Sequence, residues 1–146
     1  MIASLCGPEC GGRLFLHVLG ATLLFGGTLT VAVLVVTSLR VPEHALLLRR
    51  LASTLTFAVV WPAFVLMRIG AQLVLDGENL QHSHATWIGI GFGVSDAGLV
   101  VLLLLGLTTW LSRRYARATP WAAGLSILYL AALAVAWFAM SAKPGA

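Results

Sequence analysis

Residues 14–37 read LFLHVLGATLLFGGTLTVAVLVVT, and no Asp, Glu, Lys or Arg interrupts them. A helix crosses the hydrocarbon of a bilayer in about 20 residues, so this stretch reads as a membrane span. Three further stretches qualify. One runs from about Leu51 to Leu75 with Arg68 as its only charge. The next runs from about Ala85 to Leu111 with Asp96 as its only charge, and the last from about Pro120 to Ala142 with none. Composition agrees: of 146 residues, 60 % are hydrophobic and 10 % charged, and mean hydropathy is +0.97. A soluble domain carries about 25 % charged residues. Backbone groups in hydrocarbon must bond within their own segment, so the spans are expected to be helices, and the alternation of barrel strands is absent. The expectation is an all-α integral membrane four-helix bundle, one transmembrane domain over residues 1–146, with no soluble domain.

The flanks of the spans supply orientation. Trp87, Trp110, Trp121 and Trp137 fall at predicted interfaces, where amphipathic rings are best placed. Pro120 suits a first helical position, and Trp61-Pro62, inside the second span, is expected to kink it. The first span does not read as a cleavable signal: it is too long and no basic run precedes it. Arg40, Arg49 and Arg50 lie in the first connection and Arg113, Arg114 and Arg117 in the third, against only Arg13 and Lys143 on the other side. Positive residues favour the cytoplasm, so both termini and the Asp76–His84 connection are expected to be extracytoplasmic. The sequence pI near 9.8 then reflects anchoring to anionic lipid, not nucleic-acid binding.

This orientation gathers the reactive side chains on the outer side. Cys6-Gly-Pro-Glu-Cys10 is a C-x3-C pair: a disulfide on an oxidising face, or a soft site for copper. The usual thiol-exchange spacing is C-x-x-C. His82-Ser-His84 is an H-x-H pair that can ligate a metal or haem, or simply be solvated; the two rings project to one side only from an extended segment. His17 is expected about one turn inside the first span, with Gly20 on the same face and Gly26-Gly27 further on. Small residues let a neighbouring helix or a flat macrocycle approach the backbone. His17 and His84 are expected at similar depth, where both could ligate one iron. Met67 is expected much deeper than His17.

Arg68 and Asp96 read as a pair. Each lies within a span, where a lone charge is costly and usually faces the bundle interior. At 1.5 Å per residue Arg68 is about 12 Å below the outer end of its helix and Asp96 about 16 Å below its own, so the charges meet at similar depth. They are expected to form a buried ion pair, serving as a packing clasp or as a site for an anionic group, a quinone head or a proton. Gly89 and Gly93 make a small-xxx-small face for close helix packing.

The opening His17-Val-Leu-Gly-Ala-Thr-Leu-Leu-Phe-Gly-Gly27 resembles the first helix of a group of small bacterial membrane proteins that includes the copper-resistance D-type proteins and the small protoporphyrinogen oxidase. The stretch from Trp61-Pro62-Ala63 to Gly70, with Trp87 opening the third span, looks closest to one uncharacterised four-helix family of that group. The resemblance covers about the first two-thirds of the chain. It implies a bacterial inner-membrane bundle in which His17 binds haem b or a copper ion; specific activities are not carried over.

The leading functional expectation is therefore a membrane redox or metal-handling protein. His17 with His82 or His84 would be ligands to haem b or copper, Arg68 would support the cofactor, and Cys6, Cys10, His82 and His84 would be metal donors. The alternatives are a non-catalytic accessory subunit of a larger, respiratory-type membrane complex, or a small transporter or channel that would have to oligomerise. Partners would be the bilayer, other membrane subunits or further copies of the chain.

Overall fold

The computed structural model describes the backbone of residues 8–77 and 86–142, and side-chain surroundings over 11–76 and 89–142. Cys6, Cys10, His82, His84 and Trp87 lie outside the residues whose side chains are described. Every described element is helical: α1 (Pro8–Arg40), α2 (Ala45–Leu55), α3 (Trp61–Gly77), α4 (Thr86–Ser112) and α5 (Thr119–Ala142). A π-turn over Thr56–Val60 joins α2 and α3 into one bent rod, and short 3-10 turns at Pro42–His44 and Ala116–Ala118 precede α2 and α5. Four rods are thus long and apolar enough to cross a membrane: Gly11–Arg40, Pro42–Asp76, Gly89–Ser112 and Ala116–Ala142.

The rods run alternately up and down. Antiparallel pairing of α1 with α3 brings Gly20 to Met67 and His17 to Gly70. The α4–α5 pair brings Gly98 to Tyr129 and Gly91 to Met140. The edge of one ring meets the face of another where Phe25 of α1 meets Trp137 of α5, centroids 6.0 Å apart. The core is a ladder of Leu24, Val31, Val35, Val60, Leu102, Leu105 and Tyr129. Most hydroxyls inside it bond back to their own helix, Thr28 to the Leu24 carbonyl at 2.7 Å and Thr109 to that of Leu105 at 2.8 Å. Apolar neighbours offer no other acceptor, so the preceding turn is the nearest one; Ser53 and Thr119 are buried without a partner among the described residues.

The bend at Trp61-Pro62 takes a specific form. Pro62 has no N–H and its ring crowds the carbonyl four residues back. The helix answers by widening: the Trp61 N–H bonds to Thr56 O, five residues back. The second rod also begins earlier than the expected Leu51. The first connection shrinks to Val41 and the Pro42–His44 turn, and Arg49 and Arg50 ride on α2. A helix need not stop at its charges: Arg50 is exposed, its long stem carrying the guanidinium outward, while Arg49 is half-buried with Nε shut off from solvent.

Candidate functional site

Two polar features sit in the half of the bundle away from the six grouped arginines. The first is the α1–α3 crossing. His17 Nδ1 lies 3.1 Å from the Met67 carbonyl oxygen. A carbonyl only accepts, so Nδ1–H is the donor, and in the neutral imidazole the lone pair is left on Nε2. The crossing is close because glycines face backbone on both sides. A Cβ on Gly20 would meet the Met67 amide nitrogen and lie 2.7 Å from Met67 Cα. One on Gly70 would lie 2.6 Å from His17 Cα.

These contacts correct one expectation and decide between the alternatives of another. Met67 is not much deeper than His17; the two are level. The reason is helix length: α1 begins at Pro8, not near Leu14, so His17 is nine residues inside, about 13 Å at 1.5 Å per residue. Nor does Gly20 leave room for a flat macrocycle, because α3 fills that space. Gly26 does face open space, but it lies about 180° around the helix from His17.

The second feature is the ion pair. Arg68 Nη2 and Asp96 Oδ1 are 2.8 Å apart, and the guanidinium carbon stands 4.8 Å from the centroid of the Phe92 ring. The two charges do meet, but the expected burial inside one chain is corrected. The Arg68 side chain is 35 % exposed and that of Asp96 67 %.

The cause is the winding of α4. Gly98, Leu102, Leu105, Thr109 and Ser112 are buried along one line of the helix. Asp96 belongs to the opposite line, with Gly89, Gly93, Val100 and Leu107, all exposed. Near the arginine-rich end the π-turn meets α4, where Trp61 and Phe57 sit against Gly106. Toward the other end α3 and α4 barely approach each other, and Arg68 reaches across Phe92 to Asp96 on the outer flank. Ser95 Oγ, beside Asp96, is buried without a partner among the described residues. Gln72, one helical turn from Arg68, is exposed.

No group of three His, Cys, Asp or Glu side chains converges among the described residues. His17 thus stands outside any such group, with Nδ1 engaged by the Met67 carbonyl. Comparison with known protein families, with curated proteins and with solved structures finds no match to this chain.

Proposed function

We propose that this chain is a multi-pass protein of a bacterial inner membrane, both termini extracytoplasmic, that binds haem b or copper through His17 in its outer half. The observation that carries the reading is the His17 Nδ1–Met67 carbonyl bond of 3.1 Å. Histidines that ligate metals usually give their second ring nitrogen to a carbonyl or carboxylate, which fixes the ring and raises the basicity of the other nitrogen. His17 has that arrangement, and Nε2 is the ligating atom. Imidazole is a common axial ligand of haem and serves copper as well; copper needs no flat space on the Gly20 side of His17, which α3 fills. When bound, such a group would supply one-electron chemistry. The chain's own part is to hold the imidazole at a set angle in a dry layer, with Gly20 and Gly70 pinning α1 to α3. His82, His84, Cys6 and Cys10 are the candidates for the remaining positions. The resemblance of the His17–Gly27 stretch to copper-resistance D-type proteins supports the same reading.

Purified from cells supplied with haem precursor and copper, the protein is expected to show a Soret band or about one copper per chain. His17→Ala should remove that signal. The variant should remain folded, since losing one such hydrogen bond costs about 1 kcal/mol. A colourless, copper-free preparation of the parent, or an undiminished signal in His17→Ala, defeats the assignment.

A further inference from the structure

We infer that the outward face of α4 is where a second copy of this chain docks, forming a two-fold dimer held by the Arg68–Asp96 pairs. A side chain pointing away from the bundle within a span faces lipid, and apolar side chains are expected there. Asp96 is not apolar, and its side chain is 67 % exposed. Arg68 Nη2 engages Oδ1, yet hydrocarbon offers nothing to the remaining carboxylate lone pairs or guanidinium N–H groups. Intramembrane charges are placed toward protein or water for this reason. Among the described residues, one chain supplies neither at this face.

The charge pattern selects the occupant. The face carries one cation and one anion side by side, so it is complementary to itself. Both copies insert with the same orientation, which sets the two-fold axis along the bilayer normal and brings equal depths together. Each guanidinium, with five N–H donors, can then bridge its own Asp96 and Asp96 of the second copy, so that four charges alternate around the axis. The backbone allows the approach. A Cβ on Gly89 or Gly93 would meet nothing within 4 Å. These glycines lie four residues apart on the same line as Asp96, the spacing by which membrane helices come close. The glycines at the bundle's own crossings, Gly20, Gly27, Gly70, Gly91, Gly98 and Gly106, are already filled by neighbouring helices.

Disulfide cross-linking of the full-length protein in its membranes tests this, in a Cys6→Ser/Cys10→Ser background. Val100→Cys lies on the Asp96 line and Leu128→Cys on the outer side of α5; both positions are exposed. Val100→Cys should give a band at twice the chain mass under mild oxidation, and Leu128→Cys should stay monomeric. Adding Gly93→Leu should lower the Val100→Cys dimer about tenfold or more, a loss of about 1.4 kcal/mol in association. Its Cβ meets nothing within 4 Å in the single chain, so the monomer's fold is expected to be spared. Asp96→Arg should abolish the dimer, and Arg68→Asp/Asp96→Arg should restore it. Equal cross-linking at both cysteines, a dimer indifferent to Asp96→Arg, or a Val100→Cys adduct with a protein of different mass would each overturn the inference.

Discussion

Gly20→Ala and Gly70→Ala are each expected to destabilise the fold by about 3 kcal/mol, at the upper end of what overpacking usually costs. One methyl group is enough because the obstacle is backbone. The added Cβ at position 70 would lie 2.5 Å from the His17 amide nitrogen, and at position 20 it would press on the backbone of Met67. A side chain can swing aside; a main chain can yield only if α1 and α3 move apart, and this is the longest contact in the bundle. Separation would also carry the Met67 carbonyl away from His17 Nδ1. Thermal melts in micelles should fall on the order of 10 °C, and any Soret or copper signal should weaken with them. Gly26→Ala is the control. Its Cβ enters open space, and alanine is the better helix former by about 1 kcal/mol, so that melt should hold or rise. A Gly20→Ala protein as stable as the parent would show that the crossing is looser than described.

Breaking the Arg68–Asp96 pair from one side is expected to cost more than removing it altogether. Asp96→Asn leaves a guanidinium in the apolar layer, with a penalty of about 3 kcal/mol. Arg68→Gln should cost less, because a carboxyl group has a neutral form and a guanidinium keeps its charge. The double variant Arg68→Gln/Asp96→Asn should return to within about 1 kcal/mol of the parent, giving a coupling of about 3 kcal/mol or more in a double-mutant cycle. Unfolding of all four proteins in one lipid composition measures it. Additive single effects would mean that each charge finds lipid headgroups or water independently, and that the 2.8 Å contact contributes nothing.

Much of the fold was legible from hydropathy and two charges. Span number, the deformation at Trp61-Pro62 and the meeting of Arg68 with Asp96 all follow from counting residues at a fixed rise. What could not be read was direction. In water, a helix shows which side is buried by being polar on the other; in lipid, Val100 facing outward and Leu102 facing inward are equally apolar. The assumption that a charge must turn inward therefore placed Asp96 on the wrong side of α4. That His17 lies level with Met67 was hidden for a related reason. Hydropathy marks where the apolar run begins, at Leu14, whereas the helix begins at Pro8. The meeting of Gly20 with Met67 and of His17 with Gly70 had a faint sequence signal, since both glycines interrupt otherwise bulky spans, but nothing in the sequence paired them.

The widened turn at Thr56–Val60 takes up a phase offset along the second rod. It holds one residue more than the surrounding α-helix would need. Deleting a single residue there, with Pro62 changed to alanine, would let the rod rewind without a seam. The wider turn already absorbs the surplus residue, so both flanks would keep their present settings, with Ala52 and Ser53 still sealed inside the bundle. Changing Pro62 to alanine while keeping every residue is the opposite case. If the turn then closed into α-helix, the surplus residue would rotate one flank against the other by about 100°. The wide turn thus holds the His17 crossing and the arginine-rich rim in one phase despite the extra residue between them.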